Sequence, residues 1–162
     1  MIVIANSSVL IGLSSIGQLE LLKQRFPKGV IIPQAVWQEV VVTGTGRSGA
    51  VEVSNASWLT RKTVQNPALV VALQATLDKG EAEVIALAQE LKADLTLLDE
   101  KEARRVTRRL SMPTLGTVGI LIWAKRQGLI TTLRTELDNL RQKGNFKLSN
   151  SLYQTVLQQV RE

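Results

Sequence analysis

The chain has 162 residues and contains neither cysteine nor histidine. The first absence excludes disulfides, thiolate catalysis and cysteine-based zinc sites. The second removes the usual general base and the usual transition-metal ligand. A bound metal would therefore need oxygen ligands, which favours Mg²⁺ or Mn²⁺. Aromatic residues make up only 4% against 44% hydrophobic residues overall, so the core must be aliphatic. No uninterrupted apolar run is long enough to cross a bilayer. The apolar N-terminus lacks a basic lead-in and is broken by Asn6-Ser7-Ser8, which makes a poor signal peptide. The expectation is a single cytoplasmic domain, residues 1–162, with a full-sized core and no membrane attachment.

Charge is plentiful but uneven. Residues 1–99 hold 8 basic and 9 acidic side chains, whereas residues 100–162 hold 12 basic and 5 acidic. A basic second part suits a polyanionic partner such as nucleic acid, although it also serves plain solubility.

Ile2–Ala5 reads as a buried strand whose apolar character is nearly continuous. Val9–Arg25 reads as helix, broken near Gly12 or Gly17. Val30–Ile32 reads as a strand, with Pro33 opening a helix whose apolar stripe is Val36, Trp37, Val40 and Val41. A glycine-rich loop, Thr43–Gly49, and a strand near Trp58–Val64 come next. Helices are expected over Pro67–Leu77 and Gly80–Leu91, a strand over Leu95–Leu98 and a helix over Glu100–Leu110. Pro113–Leu115 reads as a short strand feeding the helix Val118–Gln127, which Gly128 stops as a left-handed cap. Helices Ile130–Lys143 and Ser149–Val160 complete the chain. Strands alternating with helices predict an α/β fold with a central parallel sheet flanked by helices and a helical C-terminal third.

Three strands or turns end on polar groups at what should be one rim of that sheet. Asn6 follows the first strand, Asp99 follows Leu95–Leu98, and Glu81 and Glu83 open a helix. In open α/β sheets, function gathers outside the carboxyl ends of the strands. Each landmark also has a structural explanation. Asp78 and Glu81 fit a capping box, as do Asp99 and Glu102. Asn6 and Ser7 are good helix caps, and Glu39 could simply face water. Taken together, however, several acids at one rim would repel one another unless a cation lay among them. Carboxylates holding Mg²⁺ can ionise water and stabilise a phosphoryl transition state without histidine.

The ordered segments Ile4-Ala5-Asn6-Ser7-Ser8-Val9-Leu10-Ile11, Ile32-Pro33 with Val36 and Glu39-Val40, Gly80-Glu81-Ala82-Glu83 through Ala88, and Leu97-Leu98-Asp99-Glu100 resemble the PIN-domain family. Gly116-Thr117-Val118-Gly119, Ala124 to Ile130, and Phe146-Lys147-Leu148-Ser149 with Leu152-Tyr153 extend the resemblance across nearly the whole chain. It is to the small bacterial and archaeal members often found in toxin–antitoxin operons. The resemblance implies a Mg²⁺- or Mn²⁺-dependent ribonuclease, restrained by an antitoxin protein and assembled as a homodimer. It places the acidic site on Asn6, Glu39, Glu81 and Asp99, with Glu83 or Glu100 as substitutes. Asn6, Glu81, Asp99 and Glu83 would hold the metal. Asn6 stands where the family usually has aspartate, offering a carbonyl oxygen without negative charge. The alternative expectation is thus a weakened PIN module that binds RNA or a partner protein without efficient cleavage.

Lys101, Arg104, Arg105 and Arg108 follow i, i+3, i+4, i+7 spacing on the helix after Asp99. They are the expected nucleic-acid face, with Ala103, Val106 and Leu110 opposite, against the sheet. Gly44-Thr45-Gly46-Arg47-Ser48-Gly49 has dinucleotide-binding spacing but does not follow the first strand, and no acid lies about 20 residues on for ribose recognition. A surface loop near the substrate is the better reading. A nucleotide-binding or scaffolding α/β protein is the remaining alternative, supported by fold analogy alone.

Overall fold

The computed structural model describes all 162 residues. Five parallel strands form one sheet in the order β3-β2-β1-β4-β5. They are β1 (Val3–Ala5), β2 (Val30–Pro33), β3 (Leu59–Lys62), β4 (Leu95–Leu97) and β5 (Thr114–Leu115). The central strand β1 is fully buried, as its unbroken Val3-Ile4-Ala5 run requires of a strand covered on both faces. Its register sets Ala5 opposite Leu97, and the Asn6 amide donates to the Leu97 carbonyl at 3.0 Å.

From β1 the chain builds outward to β2 and β3 on one side, then returns to add β4 and β5 on the other. The winding therefore reverses between β1 and β4. A crevice opens at such a reversal because the connections leave in opposite directions, and ligands of open α/β sheets bind there. Asn6 and Asp99 follow the two strands that flank it.

Helices α1 (Ser7–Ser15), α2 (Glu20–Arg25) and α3 (Gln34–Trp37) precede α4 (Ala50–Asn55), α5 (Pro67–Leu73) and α6 (Lys79–Leu91). After β4 come α7 (Lys101–Arg109), α8 (Thr117–Arg126), α9 (Leu133–Lys143) and α10 (Asn150–Gln159). The expected break in the first helical stretch falls at Gly17, whose φ is +72°, while Gly12 is buried inside α1. Pro33 closes β2 and precedes α3 instead of lying within it. Without a break, α3 widens into a π-helical segment, Gln38–Thr43. The short α4 has no counterpart in the sequence reading, because its Val51-Glu52-Val53 alternation carries no helical period.

The core is one cluster of 36 buried residues, aliphatic as the composition requires. Ile4, Leu10, Ile85, Leu97, Ile120 and Leu121 are fully buried within it. Beyond β5 the chain is helical, and α9 packs its Leu133, Leu137 and Leu140 stripe inward against α1 and α8. Glu162 secures the start of α9, accepting hydrogen bonds from the backbone of Leu133 at 2.6 Å and Arg134 at 3.1 Å. No helix is long and apolar enough to cross a membrane.

Candidate active site

Asn6 occupies the N-cap position of α1 but makes no capping bond. Instead its Nδ2 donates to Glu100 Oε2 at 3.2 Å, and its Oδ1 is buried without a partner. A buried acceptor left unmade costs about 1–3 kcal/mol, and a water or an ion would relieve it here. Next to it the Ser7 hydroxyl donates to Glu39 Oε2 at 2.8 Å. Glu39 reaches this place from the π-helical segment. Extra residues in a turn re-aim a side chain, and such turns cluster at functional sites.

Gly80, in the first turn of α6, forms the floor. A Cβ there would lie 3.3 Å from Asn6 Oδ1, 3.3 Å from Glu39 Oε2 and 3.5 Å from Asp78 Oδ1. Three oxygens from three distant segments thus converge on one small space, which a glycine keeps open.

Asp99 is not the cap of α7 that its spacing with Glu102 predicts. Glu100 takes the position before that helix, without a side-chain cap. The Asp99 carboxylate turns to α8, accepting the Thr117 N–H at 2.8 Å and the Thr117 hydroxyl at 2.7 Å. Two donors at a helix N-terminus, where the dipole favours anions, outcompete an exposed cap. Burial nevertheless pushes the Asp99 carboxyl above its ordinary range; the Thr117 bonds pull the other way and the neighbouring Glu100 adds to the rise.

Glu81 lies behind this front. Its carboxylate accepts the Asp78 N–H at 3.1 Å while Asp78 Oδ1 accepts the Glu81 N–H at 2.8 Å, completing the expected capping box. Burial, first of all, raises Glu81 to about 7; the bond from Asp78 lowers it, and the charges of Asp78, Glu100 and Glu39 raise it further. Glu83 Oε1 accepts the Ala35 N–H at 3.1 Å, tying α6 to the start of α3.

Asn6, Glu39, Asp78, Asp99 and Glu100 line one cavity of about 590 Å³, together with Ser7, Ser8, Lys101 and Lys147. Glu83 lines an adjoining hollow of about 500 Å³ that shares Glu39 and Asp78. Asp78, Ser7 and Lys147 were not singled out in the sequence, since Asp78 and Ser7 look like caps and Lys147 lies in a loop. No three acidic side chains form a ready-made metal cage. The chemistry of the donors still fits a hard divalent ion. The set is all oxygen, carries excess negative charge and includes an orphaned buried carbonyl, and Mg²⁺ takes one or two carboxylates and keeps several waters.

The basic helix divides. Lys101 reaches the acidic cavity. Arg104 and Arg108 line a separate small cavity with Thr107, Met112 and Thr114, and Arg105 is paired with Glu102 at 3.3 Å in solvent. Ala103 and Thr107 form its buried face, while Leu110, expected to pack on the sheet, is 43% exposed at the end of the helix.

A parallel sheet with acids gathered at its switch point defines an α/β fold with a candidate site where such sheets bind their ligands. The sequence model of the family described as PIN domain matches residues 2–162, and the chain belongs to the PIN-domain family. No curated protein matches the chain significantly.

The strain among these acids has a measurable consequence. An acid whose folded pKa is raised binds protons more tightly in the folded state. Its contribution is intact below the unfolded value near 4.5 and is lost as pH climbs toward 7. Glu81→Gln keeps an oxygen for the Asp78 N–H and removes the charge. In EDTA its melting temperature should equal that of the wild type near pH 4.5 and exceed it by a few degrees at pH 8. Calorimetry across that range decides the point; parallel curves would mean that Glu81 feels no such strain.

Proposed function

We propose that this protein is a Mg²⁺- or Mn²⁺-dependent ribonuclease of PIN type, the toxin member of a toxin–antitoxin pair, with turnover held low by Asn6. The observation that carries the reading is the convergence of Asn6 Oδ1, Glu39 Oε2 and Asp78 Oδ1 beside Gly80, at the switch point of the sheet. Asn6, Glu39 and Asp78 would hold the ion, with Asp99 and Glu100 lining the same cavity. An ion of this kind supplies an ionised water near neutral pH and charge neutralisation at a phosphodiester.

The side chains have separable tasks in this reading. Ser7 fixes the Glu39 carboxylate by its hydrogen bond. Thr117 fixes both oxygens of Asp99. Asn6 contributes a neutral oxygen and, through Nδ2, holds Glu100. Glu81 adds negative potential from behind, and Glu83 braces the helix that leads to Glu39.

A second reading is favoured by the Asn6–Glu100 bond. An amide donating to Glu100 compensates that carboxylate internally, as a module retained for RNA or partner binding without efficient cleavage would do.

Gly80→Ala tests the main reading. Alanine is better than glycine inside a helix by about 1 kcal/mol, which offsets the tight 3.3 Å approach of its methyl to Asn6 Oδ1 and Glu39 Oε2. The added methyl occupies the space between the three oxygens. The expected result is Mn²⁺-dependent cleavage of labelled RNA by the wild type, none in EDTA, and a loss of about tenfold or more in the variant at unchanged melting temperature. Undiminished cleavage in Gly80→Ala would place the chemistry elsewhere.

A further inference from the structure

An acidic floor repels the phosphates it is meant to approach, so substrate must be held by cations close to the acids yet not neutralised by them. The molecule contains two ion pairs, Arg105–Glu102 and Lys125–Glu162, and neither lies at the acidic cavity. Around that cavity the cations are free of ion pairs. Lys101 and Lys147 line it directly. A second cavity of about 490 Å³ adjoins it, and both are walled by Ile11, Glu39, Gly144 and Asn145. The far wall of this second cavity carries Arg47 and Lys143, both exposed and unpaired. Arg47 comes from the glycine-rich loop and Lys143 from the last turn of α9, nearly a hundred residues apart in the chain, yet they frame one hollow. The outer arginines of α7 are less suitable: Arg105 is already paired, and Arg108 lines a cavity that shares no residue with the acidic one. Arg104 sits nearer the acids, since a Cβ on Gly116 would lie 2.8 Å from Asp99 Oδ1 and 3.2 Å from Arg104 Nη1.

We propose that the phosphate backbone of a single-stranded RNA enters between Arg47 and Lys143, passes Asn145 and reaches the acids beside Lys147 and Lys101, leaving the outer face of α7 empty. The choice of RNA rests on the ribonuclease reading; the path itself rests on the two joined cavities and their unpaired cations. It gives the glycine-rich loop a task that its dinucleotide-like spacing does not.

The test is fluorescence anisotropy of a fluorescein-labelled single-stranded RNA of mixed sequence, in EDTA, titrated with the full-length protein at several salt concentrations. The double variant R47Q/K143Q should bind about tenfold more weakly at low salt, and its log–log salt slope should be shallower by about 1.4, as expected for two lost phosphate contacts to a single strand. R105Q/R108Q should bind within about twofold of the wild type, because these two side chains lie off the path. All four substitutions are of exposed side chains, and circular dichroism verifies folding. The reverse pattern, or equal binding by R47Q/K143Q and wild type, overturns the path. Equal binding with Asp99-dependent cleavage intact would refute the path and leave the ribonuclease reading. Weakened binding in R47Q/K143Q without any Asp99-dependent cleavage would support the path and refute that reading. A wild type with no salt-sensitive affinity for RNA would overturn both.

Discussion

Replacing Asn6 with aspartate is expected to destabilise the metal-free protein and strengthen its hold on Mn²⁺. The bond from Asn6 Nδ2 to Glu100 Oε2 would become a contact between two carboxylates. Glu39 and Asp78 also approach the same space beside Gly80, and burial with its acidic neighbours already drives Glu81 to about 7. One further charge there should cost roughly 1–3 kcal/mol, the usual penalty of a lost partner at a buried polar group. A divalent ion reverses the sign, since the new carboxylate is then a ligand. Affinity for Mn²⁺ should rise at least about tenfold, equivalent to 1.4 kcal/mol. RNA cleavage should rise with it. Thermal denaturation in EDTA and in Mn²⁺ gives both halves of the result: a lower melting temperature in the first and a larger metal-induced gain in the second. A wild type that binds Mn²⁺ as tightly and cuts as fast as Asn6→Asp would remove Asn6 as the brake on turnover.

Asp99→Ala should abolish cleavage, with a loss of about a hundredfold or more, as removal of a charge-bearing group at a reacting centre commonly gives. The same substitution leaves the Thr117 N–H and hydroxyl without their acceptor, at the start of a helix that carries buried Ile120 and Leu121. A fall in stability is therefore expected too, and Asp99→Asn separates the effects. Asparagine can still accept one of the two Thr117 bonds but lacks the charge. Both variants should lose cleavage, while Asp99→Asn keeps more of the wild-type melting temperature. Equal cleavage by wild type and Asp99→Ala would point to a contaminant or to a different site.

The strands and their polar tips were readable because they depend on short-range pattern. Val3-Ile4-Ala5 is a buried parallel strand by composition alone, and Asn6 follows it at the switch point. The Asp78–Glu81 capping box formed because its groups are three residues apart. What depends on tertiary contact was not readable. Asp99 and Glu102 have the same local spacing, but Thr117 lies nearer to Asp99 in space and offers two donors. Residue pattern alone leaves Glu39 able to face water, and the family resemblance places it in the site; the π-helical segment that carries it is not visible in the local sequence. Glu83 is a ligand candidate by the family resemblance alone, and its bond from the Ala35 N–H depends on the packing of α6 against α3. Asp78 is a cap by local spacing, and its approach to Asn6 and Glu39 beside Gly80 exists only once distant segments are brought together. Charge spacing on α7 includes Lys101, which lines the acidic cavity, but it cannot show that Lys147, Lys143 and Arg47 are brought there from other stretches of chain.

The proposed ribonuclease needs one cation shared by oxygens that are far apart in sequence. Anomalous diffraction from a crystal soaked in millimolar Mn²⁺ tests this most directly. The expected outcome is a single strong peak in the cavity bounded by Asn6, Glu39, Asp78 and Asp99, weaker in Gly80→Ala and stronger in Asn6→Asp. A cavity without a peak, or Mn²⁺ bound only at carboxylates elsewhere on the surface, would contradict it.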